Sequence, residues 1–131
     1  MKLMIVDDHQ VVRQGIANLL RSMLPAVAIT EVDNGQDAVA RYGELRPDVV
    51  LLDMRMPGMN GVEVLRQLNE AGTLPPNIIL TTFDDEELVL AGIRNGAKGY
   101  LLKDVALDEL VSASKTVAEG GSIVKPAVTE R

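Results

Sequence analysis

The sequence predicts an α/β protein, a doubly wound parallel sheet of five strands with five helices. Three observations predict it. Short apolar runs alternate with longer segments of helical period. Those runs are apolar at consecutive positions, as strands covered on both faces are. Gly, Pro, Asn and Asp punctuate the boundaries between them. At 131 residues the chain fits a single domain.

The first run, Leu3-Met4-Ile5-Val6, ends in Asp7-Asp8. A helix follows, and Val12, Ile16, Leu19, Leu20 and Met23 are spaced to form its buried face before Pro25 stops it. Beside that face Val11, Gly15, Asn18 and Ser22 make a mostly small-residue strip suited to receiving a partner helix, or merely facing solvent. Val27 to Val32 reads as a second, weaker strand, and Asn34-Gly35 turns the chain into a helix carrying Ala38, Val39 and Tyr42. The third strand, Val49-Val50-Leu51-Leu52, ends in Asp53. A loop with Pro57-Gly58 leads to a helix from about Gly61, with Val64, Leu65 and Leu68 inward. Pro75-Pro76 precede the fourth strand, Ile78-Ile79-Leu80, which ends in Thr81-Thr82. Asp84 is placed to cap a helix that stops at Asn95-Gly96. Lys98 to Leu102 makes the fifth strand, ending in Lys103. The last helix presents Leu107, Leu110, Val111, Ser114, Val117 and Ala118 and ends at Gly120-Gly121. Residues 1–120 are therefore the domain, and 121–131, which lack periodicity, are a linker or tail.

Composition narrows the function. With 47% hydrophobic but only 2% aromatic residues, the core must be aliphatic. The absence of cysteine removes disulfides, thiolate zinc sites and thiol catalysis, and fits a reducing cytosol. No signal pattern and no bilayer-length apolar run is present, so a cytoplasmic location without a membrane is expected. A net charge of −6 repels nucleic-acid phosphates, which argues against direct DNA binding by these residues.

Position carries the chemistry. Asp7, Asp8, Asp53, Thr81 and Lys103 each follow an apolar strand run directly. In an open parallel sheet the carboxyl ends of all strands share one edge, where ligands bind. Carboxylates crowded there repel one another, and a hard divalent cation such as Mg2+ relieves that repulsion through oxygen ligands. One carboxylate is then left to act as a nucleophile, and Asp53, beside a loop holding Gly58 and Gly61, is the candidate. Lys103 would neutralise phosphate charge and the Thr81 hydroxyl would donate to a phosphoryl oxygen. Each residue alone has a blander reading: helix cap for Asp7 or Asp8, turn residue for Thr81, solvated charge for Lys103. Only the set at one edge favours the functional one.

With these residues placed, the chain resembles the response-regulator receiver family of two-component signalling over roughly residues 2–120. The resemblance rests on Ile5-Val6-Asp7-Asp8-His9, on the stretch Leu51-Leu52-Asp53-Met54-Arg55-Met56-Pro57-Gly58-Met59-Asn60-Gly61, on Leu80-Thr81-Thr82, and on Gly99-Tyr100-Leu101-Leu102-Lys103. It implies a flavodoxin-like sheet of order 2-1-3-4-5. It also implies that Asp53 is the phosphoacceptor, that Asp8 and Asp53 ligate Mg2+ directly with the Arg55 backbone carbonyl, and that Asp7 acts mainly through water. Thr81 and Lys103 would hold the phosphoryl group, and Thr81 with Tyr100 would form the switch. The implied protein is a signalling phosphoacceptor, catalysing at most its own phosphotransfer and dephosphorylation. Its partner would be a sensor histidine kinase, with a homodimer left open.

Gly-Tyr-Leu-Leu-Lys-Asp at 99–104 and Thr-Thr-Phe-Asp-Asp at 81–85 are similar to the LuxR-type (NarL/FixJ-like) transcription regulators. In these a helix-turn-helix domain follows a linker; DNA would be bound only through that domain, and the sequence is expected to be a receiver excised from it, the alternative being a naturally short one. Two features depart from the broader family: Asp104 replaces a common proline, which puts a cis peptide there in doubt, and Thr82 is bulkier than the usual Ala or Gly. Phe83 and Arg55 flank the site and are expected to tune phosphoryl lifetime, while His9 is expected to lie exposed at the start of the first helix.

Rival classes fare less well. A phosphatase with an aspartyl nucleophile usually has an acid two residues on, where Arg55 stands. A nucleotide-binding module needs a glycine-rich phosphate loop after a strand, and none is present. A phosphorylation-independent interaction domain would have lost an acidic or lysine position, and none is lost.

Overall fold

A computed structural model describes residues 1–72, 74–81, 86–104 and 107–121. Thr82, Phe83 and Asp84 and the tail 122–131 lie outside the described residues, as does the side chain of Leu107. The order of elements is β1 (Lys2–Val6), α1 (Gln10–Met23), β2 (Ala28–Val32), α2 (Gly35–Leu45), β3 (Val49–Asp53), α3 (Gly61–Glu70), β4 (Asn77–Thr81), α4 (Glu86–Arg94), β5 (Tyr100–Leu102) and α5 (Leu107–Ala118). All pairings are parallel, and the sheet order is β2-β1-β3-β4-β5.

Alternation along the strands divides the core in two. Met4, Val6, Val50, Leu52 and Ile79 pack with Ala38 of α2, Val64, Leu65 and Leu68 of α3 and Val89 of α4. Leu3, Ile5, Val49, Leu51, Ile78 and Leu80 pack with Leu20 of α1 and with Leu110, Val111, Ala113 and Val117 of α5. Every residue of β3 and β4 is buried, which is why both read as unbroken apolar runs.

Helix ends follow local chemistry. The side chain of Asn34 caps α2 by accepting from Asp37 N–H at 2.8 Å, and that of Asn60 caps α3 by accepting from Glu63 N–H at 3.0 Å. Gly96 follows α4 at φ 105°, a backbone conformation that glycine adopts without strain. No cis peptide bond occurs among the described residues.

The expected face of α1 needs correction. Val12, Leu19 and Met23 are 39%, 52% and 47% exposed. The stripe that turns inward is Arg13, Ala17 and Leu20, with Ile16 partly buried. An apolar count cannot select Arg13, whose burial is compensated by polar partners rather than by hydrophobicity. Val11, Gly15, Asn18 and Ser22 are exposed. At the other side of the sheet β5 is shorter than expected, because Lys98 and Gly99 bond to β4 without joining the strand.

Candidate functional site

The register of the sheet brings the strand ends level. Val6 pairs with Leu52, Asp53 with Leu80, and Thr81 with Leu102, so Asp7, Asp53, Thr81 and Lys103 emerge along one edge. Asp7 N–H donates to Val32 O at 3.0 Å, and Lys103 N–H donates to Thr81 O at 2.9 Å, which fixes both residues as they leave their strands.

The ammonium of Lys103 reaches back over this edge. Its Nζ lies 3.2 Å from Asp7 Oδ2 and 3.3 Å from Asp53 Oδ1. Asp53 is 2% exposed and Asp7 fully buried, whereas Asp8 is partly open. Burial, reinforced by the charge of Asp7, pushes the Asp53 carboxyl up to about 6; Lys103 and the Arg55 N–H, which donates to Asp53 Oδ1 at 3.3 Å, pull the other way.

Gly61 keeps the β3–α3 loop tight. A Cβ there would stand 2.6 Å from Asp53 O and 2.3 Å from Met54 Cε, so only glycine lets α3 begin this close to the acidic strand end.

Four sequence-predicted residues thus meet, Asp7, Asp8, Asp53 and Lys103, with the Arg55 backbone on Asp53 and Thr81 adjoining through the Lys103 amide. Tyr100 stands apart. It opens β5 opposite Ile79 and is partly buried against the α2–α3–α4 core. Strand alternation places Thr81 on that same face of the sheet.

Two residues were not singled out as part of this site. His9 is the N-cap of α1, and its Nδ1 lies 3.1 Å from Asp7 Oδ1 and 3.4 Å from Asp8 Oδ1. Arg13 donates from Nη1 to Asp7 O at 2.7 Å and pairs through Nε with Glu31 of β2 at 3.1 Å. The signals were the step from Asp-Asp to histidine and a lone arginine within an apolar helix face.

The donor set fits a hard divalent cation. Asp7 Oδ2, Asp8 Oδ1 and Asp53 Oδ2 are buried without a hydrogen-bond partner, Asp7 Oδ2 having only the charge of Lys103 nearby. One ligand atom from each of Asp7, Asp8, His9 and Asp53 lies within 4.8 Å of the others. Opposite ligands of an octahedral Mg2+ stand about 4.2 Å apart, so little adjustment is needed.

Comparison with known proteins shows the family. The family model described as the response regulator receiver domain matches residues 3–115. The chain is 41% identical to the transcriptional regulatory protein LnrK of Bacillus subtilis strain 168, over 98% of this chain and 58% of that protein. It is 35% identical to the nitrate/nitrite response regulator protein NarL of Escherichia coli K12, over 97% of this chain and 59% of that protein. The chain therefore spans less than two thirds of these curated relatives. Among solved structures, a LuxR-family two-component response regulator from Aurantimonas sp. SI85-9A1 superposes with a TM-score of 0.85 at 29% identity, covering 98% of this chain and 92% of that one.

Proposed function

Because the chain belongs to the response regulator receiver family, a family of signalling domains, we propose that Asp53 is its phosphoacceptor, charged by a sensor histidine kinase. The observation that carries this reading is the buried Asp53 carboxylate, held between Lys103 and an acidic pair that has unpartnered oxygens. An Asp53 carboxylate oxygen attacks the phosphorus of a phosphohistidine; the P–N bond breaks as the P–O bond forms, and the histidine nitrogen leaves with the electron pair and takes up a proton. Asp8 and Asp53, with the Arg55 carbonyl, would hold Mg2+, and Asp7 would act through water. The cation supplies positive charge against the phosphoryl oxygens.

Lys103 then shifts its ion pair from the carboxylate to the phosphoryl group, and the Thr81 hydroxyl donates to a phosphoryl oxygen. Thr81 and Tyr100 share a sheet face, so a move of Thr81 toward the edge opens space into which Tyr100 can turn. Phosphorylation adds a charge of about −1.5 to −2 to drive this change. Carrying such a switch from mostly off to mostly on requires a differential of about 5.5 kcal/mol, to which charge-assisted bonds contribute most.

Residues 121–131 are proposed as the linker toward a helix-turn-helix domain of the LuxR type, through which alone the whole regulator would bind DNA. The site serves stoichiometric signalling, with turnover limited to its own phosphotransfer and dephosphorylation. No helix among the described residues is long and apolar enough to cross a membrane, and a cytoplasmic location is proposed.

Mass spectrometry after acetyl phosphate treatment with Mg2+ tests the reading. One hydroxylamine-labile phosphoryl adduct is expected on the wild type, and none on Asp53→Asn or in the presence of a chelator. An adduct of equal yield on Asp53→Asn would refute the assignment.

A further inference from the structure

The sheet-edge site contains a donor that a purely oxygen-based magnesium site does not need. His9 Nδ1 faces Asp7 Oδ1 at 3.1 Å and Asp8 Oδ1 at 3.4 Å, and it lies 3.5 Å from Lys103 Nζ. The ring is 60% exposed, yet this nitrogen points toward the carboxylates. It makes no side-chain cap to α1; its hydrogen-bond partner is Asp7 Oδ1, at the acidic edge itself.

We propose that His9 Nδ1 is an additional metal ligand, which lets this site take a late first-row transition-metal ion, of the Ni2+ or Zn2+ kind, in place of Mg2+. The inference rests on the metal site of the proposed function.

Three observations carry it. His9 belongs to the same four-residue set as Asp7, Asp8 and Asp53, one ligand atom of each lying within 4.8 Å of the others. Asp7 and Asp53 are almost wholly buried; Asp53 Oδ2 has no hydrogen-bond partner, and Asp7 Oδ2 has only the Lys103 ammonium, 3.2 Å away. Finally, His9 is the only histidine of a chain without cysteine, so no other side chain offers an imidazole or a thiolate to such a metal.

The chemistry discriminates between ions. Magnesium is hard, keeps several waters and gains little from imidazole. Late transition metals bind imidazole well, and their affinities for a mixed nitrogen and oxygen site rise along the first row toward copper. The Lys103 ammonium now provides the cation nearest Nδ1. On its flexible stem it can withdraw when a metal ion takes over that charge.

Isothermal titration of the untagged protein with NiCl2 and, separately, MgCl2 tests the proposal, using wild type, His9→Gln, His9→Asn and Asp8→Asn. The His9 variants are expected to lose at least about tenfold in Ni2+ affinity, the low end of what one tuning partner is worth, with Mg2+ affinity held within about twofold. Asp8→Asn is expected to weaken both ions. The idea is overturned by unchanged Ni2+ binding in the His9 variants, by a parallel loss of both ions, or by full Ni2+ affinity in Asp8→Asn, which would place nickel on an isolated surface imidazole. Nickel binding that depends on His9 and Asp8 while magnesium fails to bind even the wild type would sink the magnesium reading and leave this one standing. Magnesium binding with no effect of His9 on nickel would do the reverse.

Discussion

At Asp53 the fold works against its own charge. The carboxyl is raised from 3.8 to about 6, first by burial and then by Asp7, so in the folded protein it holds its proton more tightly than in the unfolded chain. The stability associated with that proton is fully present below the unfolded value and is lost as pH rises through about 6. The difference of about two pKa units corresponds to about 3 kcal/mol of destabilisation at neutral pH. Asp53→Asn carries no charge to desolvate. In chelator, urea unfolding is therefore expected to show the variant gaining on the wild type by about 2 kcal/mol between about pH 4 and pH 7.5. A gap that stays constant across that range would show that Asp53 does not titrate as its surroundings imply. If Asp53 is the phosphoacceptor proposed above, the ionised carboxylate present at neutral pH is its nucleophilic form, and the strain accompanies readiness to react.

On the scale of one element, α1 shows how a helix sets the geometry of a site it does not contact through its apolar face. Arg13 ties Asp7 O to Glu31 of β2 and so fixes the loop that aims Asp7 and Asp8 at the edge. Arg13→Met would keep the length of the side chain while leaving a buried carbonyl and Glu31 short of a donor. A loss of about 1–3 kcal/mol in urea unfolding is expected. Part of it should return in Arg13→Met with Glu31→Leu, since both charges then leave together. Equal stability of wild type and Arg13→Met would remove Arg13 from this role.

The same helix marks where legibility in the sequence stopped. Strands β1, β3 and β4 and their terminal residues were readable, because fully buried strands leave unbroken apolar runs. The buried face of α1 was misplaced, because Val12, Leu19 and Met23 fit the period whereas the residue that turns inward is a paired arginine. A hydrophobic count is blind to burial compensated by hydrogen bonds across 18 residues of sequence. His9 was legible as exposed, but the direction of its Nδ1 depends on the bend after β1, which no local pattern encodes.

Across the whole molecule, the site is made by topology: β1, β3 and β5 contribute charges that are remote in sequence, and the sheet order makes them neighbours. A cation held there bridges strands and relieves the repulsion between Asp7 and Asp53, so its binding energy should appear as stability of the fold as a whole. A ligand that binds only the folded state adds about 2.7 kcal/mol at a hundred times its dissociation constant. For a domain of this length each kcal/mol raises the melting temperature by about 4 °C, which gives a rise of about 10 °C at that level of Mg2+. Sodium chloride at matched ionic strength should give little of it, because screening acts weakly on buried charges. Asp8→Asn, which leaves Asp7, Asp53 and Lys103 in place, should lose most of the magnesium-specific rise. Thermal melts recorded in magnesium and in matched sodium decide the matter. Coincident curves for the wild type would mean that the clustered carboxylates are held by Lys103 alone, and that the edge is an ion-pair network and not a metal site.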